Sequence, residues 1–136
     1  MPWVIDTSLL IDIADADPQF ASASAALIDA KRTEGLVISP ITYAELAPVF
    51  DGDAGRQELF LFHLEVSWSE IWTHKETLAA HTAWYRYVQA RRLHRINKRP
   101  LADILIGAFS KRFDGLLTRN ESDFRHIFPD MTILIP

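Results

Sequence analysis

Trp3-Val4-Ile5-Asp6-Thr7-Ser8 places three apolar residues directly before an acid and two hydroxyls. So short an apolar run, stopping so abruptly, reads as a strand buried on both faces. Leu36-Val37-Ile38-Ser39, Leu116-Leu117-Thr118 and Thr132-Ile133-Leu134-Ile135 repeat the pattern, and Glu65-Val66-Ser67-Trp68 is a weaker instance. The stretches between them have helical character. Leu9 to Ile13 is a short apolar segment with Asp12 inserted. Asp17-Pro18 puts an acceptor at a cap and proline at the first helical position, starting a helix that runs to Glu34 and ends at Gly35. Thr42-Tyr43-Ala44-Glu45 has the spacing of a capping box and opens the next helix. Asp51 to Gly55 is a loop, and Leu59 to Leu64 is helical. A long helix runs from Trp72 to about Ile96, with Ala80, Trp84 and Val88 at four-residue spacing. Arg99-Pro100 breaks it and starts a new apolar helix, Leu101 to Phe113, closed by Asp114-Gly115. Short buried strands alternating with helices predict an α/β fold, a three-layer α/β/α sandwich with a central, mainly parallel sheet. In such sheets functional groups gather outside the carboxyl ends of the strands.

Composition narrows the function. The 136 residues have room for one domain, 1–136, with no repeat or linker to divide it. With 49% hydrophobic and 24% charged residues, wholesale disorder is excluded. A net charge of −4 argues against a protein held on nucleic acid by bulk positive charge. The absence of cysteine removes disulfides, iron–sulfur clusters, thiolate zinc sites and cysteine nucleophiles together. No apolar run approaches the roughly 18–20 residues that cross a bilayer. The first residues also lack the positive region of a signal peptide, so the expected compartment is the cytoplasm.

The acids fall where the fold would use them. Asp6 follows the first strand, Glu45 lies one turn into the helix after the second, Asp103 is in the first turn after Pro100, and Asp123 comes just past a later strand. In a parallel sheet all four project toward one end. Gathered carboxylates repel and raise each other's pKa values, so a cluster calls for a cation. With hard oxygen ligands and no nearby His, Mg²⁺ or Mn²⁺ suits better than zinc. Hydrolysis of a phosphodiester by metal-bound water follows from that chemistry. Each acid also has a plainer role: Asp6 and Asp123 as caps, Glu45 as half of a capping box, and Asp103 as a partner of the helix dipole. Their joint placement favours a site, as do the apolar neighbours in Val-Ile-Asp and Ala-Asp-Ile-Leu-Ile.

Four segments carry a family resemblance: Val4-Ile5-Asp6-Thr7-Ser8, Ile38 to Leu46, Arg99 to Ala108, and Leu116 to Phe124. In order, spacing and total length the chain resembles a PIN-domain ribonuclease, specifically a VapC-type toxin of a bacterial type II toxin–antitoxin pair. The resemblance implies a PIN-like fold and an endoribonuclease dependent on Mg²⁺ or Mn²⁺, with Asp6, Glu45, Asp103 and Asp123 in its acidic site. Asp6 and Asp103 match the best-defined metal positions. Thr7 or Ser8, Thr118 and Asn120 match the polar residues around the metals. Asp123 is chosen over Glu121 and Asn120 because it precedes Phe124, as in the family pattern Thr-x-Asn-x-x-acid-Phe. A homodimer and a VapB-type antitoxin that obstructs the site are implied as well.

A route for RNA exists despite the acidic balance. Between Thr77 and Ala102 there is no Asp or Glu, while Arg86, Arg91, Arg92, Arg95, Lys98 and Arg99 supply six of the 14 Lys+Arg. This stripe either grips phosphates or is a solvated helix face. Tyr85 and Tyr87 either stack on bases or pack in the core. Leu9, Leu10, Ile11 and Ile13 offer an antitoxin groove or an internal contact. Two other function classes compete. A phosphatase related to haloacid dehalogenases wants an acid two residues after Asp6, where Ser8 stands. A non-catalytic PIN-like module that binds RNA or protein has no physical need to keep four mutually repelling acids.

Overall fold

The computed structural model describes residues 2–94 and 100–136, with the side chains of 91–94 outside the description. Trp3–Ile5 forms β1, the middle strand of a sheet with β2 (Leu36–Val37), β3 (Val66–Ser67), β4 (Gly115–Leu117) and β5 (Ile133–Leu134). The order across the sheet is β3-β2-β1-β4-β5, and every pairing is parallel. The sheet expected to be mainly parallel is wholly so. Because β1 sits centrally, the chain winds outward through β2 and β3 on one side and through β4 and β5 on the other.

Strand alternation sorts the core into two faces. Trp3, Ile5, Leu36, Ile38 and Leu117 meet Leu9 and Leu10 of α1 (Thr7–Ala14), Ile28 of α2 (Ala21–Lys31) and Leu61 of α4 (Ala54–His63). Val4, Val37, Leu116 and Ile133 face the other way, onto Ile106 and Phe109 of α6 (Leu101–Ser110) and Phe124 of α7 (Glu121–Ile127). α5 (His74–His94) forms an outer contact, setting Ala80, Ala83 and Tyr87 against Ile104 and Ala108 of α6. The three-layer α/β/α architecture predicted from the sequence is present. Among the described residues, no helix is long and apolar enough to cross a membrane.

Three helix starts shift. Asp17 does accept from the N–H groups of Gln19 and Phe20, but it caps a turn, and the regular helix begins at Ala21. The helix expected to open at Thr42 is α3 (Pro40–Glu45); Ser39 is its cap, accepting from the Thr42 N–H at 3.1 Å, with Pro40 at the first position. Proline's fixed φ and missing donor suit that place, so the start moves upstream of Thr42. Asp53 caps α4 through the Arg56 N–H, so Ala54 and Gly55 belong to the helix and not to the loop. Leu9 and Leu10 are fully buried within the chain, which removes them from any groove on its surface.

Gly107 marks where α6 meets the end of α7. A Cβ added there would lie 2.3 Å from the Phe128 ring, closer than any real contact. Alanine normally stabilises a helix relative to glycine by about 0.5–1 kcal/mol. Overpacking here costs more, about 1–3 kcal/mol. Gly107→Ala is therefore expected to lower the urea midpoint, and Gly107→Ala with Phe128→Leu to recover part of the loss. A midpoint that rises in the single variant would contradict this packing.

Candidate functional site

The strand order reverses between β1 and β4, and the carboxyl ends of those two strands border the crevice where open α/β sheets place their ligands. Asp6 is the first residue after β1. Its backbone N–H continues the ladder by donating to the Leu117 carbonyl at 2.9 Å, which fixes the side chain at the strand end. The carboxylate is buried, 6% exposed, and accepts from the Thr7 N–H at 2.8 Å, the Thr118 hydroxyl at 2.6 Å and the Ser8 hydroxyl at 3.3 Å. Burial pushes its pKa upward, and the Glu45 charge adds to the rise. The bonds from Thr118, Thr7 and Ser8 oppose that rise without cancelling it. Asp6 thus caps α1 and also carries a charge that the fold disfavours.

The other acids reach the same end of the sheet from separate elements. Glu45 is the last residue of α3, where the negative end of the helix dipole gives an acid no advantage. With Ser39 as the cap, its capping-box role disappears. Its Oε1 instead accepts from the Thr7 hydroxyl at 2.7 Å, and that hydroxyl lies 3.0 Å from the hydroxyl of Thr42. Asp103 is the third residue of α6. The Asn120 amide stands 3.5 Å from Asp103 Oδ2 and donates to Asp123 Oδ2 at 3.1 Å. The Asn120 backbone N–H donates at 2.9 Å to the same Thr118 hydroxyl that donates to Asp6. Thr118 is thereby oriented from both sides. Glu121 is turned to Arg125 at 2.9 Å, leaving Asp123 as the α7 acid joined to Asn120.

Asp6, Thr7, Ser8, Glu45, Asp103 and Asn120 line one open depression of about 480 Å³, together with Ile11 and Arg119. Asp123 is not among these lining residues and is linked to them through Asn120. Neutral donors lie between the acids, and among the described residues no three His, Cys, Asp or Glu side chains are drawn together as a closed metal nest. The donor chemistry is nevertheless all hard oxygen: carboxylates, hydroxyls and an amide. That set fits a divalent cation such as Mg²⁺, which binds one or two carboxylates directly and keeps much of its water. Asp6, Glu45 and Asp103 border the space it would occupy.

The basic residues fare differently. Arg86 is exposed on α5 and borders a separate hollow of about 330 Å³ beside Lys111, Asp114 and Gly115. Gly115 begins β4, so this hollow lies at the amino end of the sheet, opposite the acids. The side chains of Arg91 and Arg92, and residues Arg95, Lys98 and Arg99, lie outside the described residues. Tyr87 is buried and stacked with Trp84 at 6.0 Å, whereas Tyr85 is 60% exposed. Sequence reading passed over Arg119, which borders the depression and pairs with Asp12 through bonds of 2.8 and 3.0 Å. A signal was present: an acid inserted in the apolar run from Leu9 to Ile13 needs a partner.

Comparison with known proteins agrees with the fold. A family model described as PIN domain matches residues 3–127. VapBC2 from Rickettsia felis, bound to a DNA fragment from their promoter, contains a similar chain at 14% identity and a TM-score of 0.60, covering 99% of this chain and 98% of that one. FitAB bound to an IR36 DNA fragment contains another at 18% identity and a TM-score of 0.60, covering 98% and 94%. No curated protein sequence matches significantly.

The raised pKa of Asp6 makes a thermodynamic prediction. A carboxyl whose folded pKa lies above its unfolded value opposes folding as pH rises through that interval, and has no effect below both values. Asp6→Asn, which keeps the shape and removes the charge, is expected to raise the melting temperature at pH 7–8. The gain should vanish as pH falls below the ordinary carboxylate range. Thermal melts across pH check this; an Asp6→Asn variant less stable than the parent at pH 8 would refute it.

Proposed function

The chain belongs to the PIN-domain family, and from that premise we propose that it is a metal-dependent endoribonuclease acting as the toxin of a toxin–antitoxin pair. The observation that carries the reading is the convergence of Asp6, Glu45 and Asp103, from three separate elements, on one depression at the carboxyl ends of the central strands. Glu45, at the carboxyl end of α3, caps nothing there, while Asp6 caps α1 and faces the depression as well. The likeness to VapBC2 and FitAB chains supports the toxin reading and a VapB-type antitoxin as partner. A single domain over 1–136, a homodimer and a cytoplasmic setting belong to the same proposal.

A bound Mg²⁺ or Mn²⁺ supplies neutralisation of phosphate oxygens and a water of lowered pKa for attack on phosphorus. The chain's own residues do the rest. Thr118, Thr7 and Ser8 hold the Asp6 carboxylate in one orientation, so no reorganisation is needed when it takes up its ligand. Thr7 does the same for Glu45, and Asn120 tethers Asp123 beside Asp103. The hydroxyls of Thr7, Ser8 and Thr118 donate to the carboxylates and so orient them. The openness of the depression suits a single-stranded segment. Arg86, placed at the other end of the sheet, has no part in this reading, whereas Arg91, Arg92, Arg95, Lys98 and Arg99 remain its proposed RNA-gripping residues.

The test is cleavage of a labelled single-stranded RNA in Mg²⁺. Asp6→Asn and Asp103→Asn are each expected to lower the rate at least ~100-fold while circular dichroism stays unchanged. Excess EDTA should abolish cleavage, and Mg²⁺ or Mn²⁺ should restore it. Full activity in EDTA would overturn the metal mechanism. Metal binding and RNA binding without any cleavage would favour the non-catalytic module.

A further inference from the structure

Among the described residues lining the acidic depression, Arg119 alone carries a positive charge. It follows Thr118 and precedes Asn120, so it is fixed in sequence between two groups that organise the acids. Its guanidinium is fixed in space as well. Nε donates to Asp12 Oδ2 at 2.8 Å and Nη2 to Asp12 Oδ1 at 3.0 Å, the bidentate geometry that immobilises the plane. The Phe20 ring covers one face at 4.0 Å. Asp12 is only 3% exposed and is steadied by the Ser24 hydroxyl at 3.0 Å. A buried carboxylate, a hydroxyl and an aromatic ring, contributed by α1, α2 and the turn between them, thus hold one arginine.

That apparatus leaves the cation usable. A guanidinium has five N–H donors, and the two bonds to Asp12 leave the others for a ligand. One third of the side chain remains exposed, on the rim of the depression. A polyanion entering a hollow lined by Asp6, Glu45 and Asp103 meets repulsion, and a cation fixed there in advance offsets it without losing side-chain freedom on binding.

We propose that Arg119, held by Asp12 and Phe20, binds a phosphate of the RNA strand at the acidic depression and so positions the substrate. This rests on the reading of that depression as an RNA-cleaving site. Arg119 acts here as a binding and positioning residue, separate from the acids that do the chemistry. If the Asp12–Arg119 pair only ties α1 to the loop after β4, its removal alters stability and leaves the salt dependence of RNA binding intact.

The experiment measures binding of a fluorescein-labelled single-stranded RNA to the full chain in EDTA, by anisotropy over a range of KCl, so that no cleavage intervenes. The informative variant is Asp12→Asn with Arg119→Gln, which leaves net charge unchanged and strands no buried ion. Its affinity is expected to fall about tenfold at low salt. The slope of log affinity against log salt should shrink by about 0.7, one phosphate contact on a single strand. Asp12→Asn alone, retaining Arg119, should keep the parent slope. Arg32→Gln, which removes a charge at the amino end of β2, should also keep it. Thermal melts establish that each variant is folded at the assay temperature. An unchanged slope in the folded double variant overturns the proposal, as does a parent chain that binds no RNA. The parallel cleavage assay separates the two readings. Cleavage with an unaffected slope removes Arg119's role and leaves the nuclease. A reduced slope in a chain that never cleaves keeps the phosphate contact and removes the nuclease.

Discussion

The hydrogen bond from the Thr118 hydroxyl to Asp6, at 2.6 Å, closes the seam where the two halves of the sheet diverge. Its donor follows β4 and its acceptor follows β1, the strands that flank the reversal of order. Both residues are buried and both extend the parallel ladder by backbone bonds, Asp6 to Leu117 and Thr118 to Leu134. The side chains therefore have almost no freedom to relax away from one another. From that fixed point the surrounding groups acquire their places. Thr7 donates its N–H to Asp6, which caps α1, and steers Glu45 with its hydroxyl, and Asn120 anchors to Thr118 and reaches the acids of α6 and α7. The site is an outgrowth of the strand register, and a slip of one residue in β1 or β4 would dismantle it.

Electrostatics explains why this arrangement is built from hydroxyls and amides. Carboxylates pressed together without a cation would drive one another toward protonation. Here Thr118, Thr7, Ser8 and Asn120 each donate to an acid, so the negative charges are spread among neutral dipoles. The Asp6 pKa is still pushed upward, first by burial and least by the Glu45 charge. A divalent ion entering such a set gains charge attraction while the neutral donors keep the ligands aligned, which is how outer hydrogen bonds tune a metal site.

The sequence was most legible where a local rule and the fold agreed. Trp3-Val4-Ile5 reads as a buried strand because its three residues are apolar without interruption, and the sheet does cover both of its faces. Thr42 and Glu45 misled because two signals overlapped. Thr-x-x-Glu spells a capping box, yet Ser39-Pro40, three residues upstream, is the stronger start. Arg86 misled for another reason. Composition counts charges along a helix, but the direction each one faces depends on how α5 packs against α6, and Tyr87, adjacent to Arg86, takes the inward position. Arg119 was hidden because its partner Asp12 is 107 residues away, a separation that no local pattern spans.

Asp6 and Asp12 are two buried acids whose charges are met in different ways. Both are almost completely buried and both belong to the α1 region, one at its cap and one within it. Asp12 is met by a guanidinium in a two-bond fork, so its charge is balanced inside the chain. Among the described residues, Asp6 is met only by neutral donors, two hydroxyls and one backbone N–H, with Glu45 adding repulsion. Burial imposes a desolvation cost on both, and hydrogen bonds from neutral groups recover only part of it. A carboxylate in Asp6's position has two ways to lower its energy: it takes up a proton, or it takes up a cation from solution. The hydroxyl and N–H donors favour the charged form without cancelling the effect of burial. Under the proposed function, the neighbouring Glu45 would offer a second oxygen ligand for that cation.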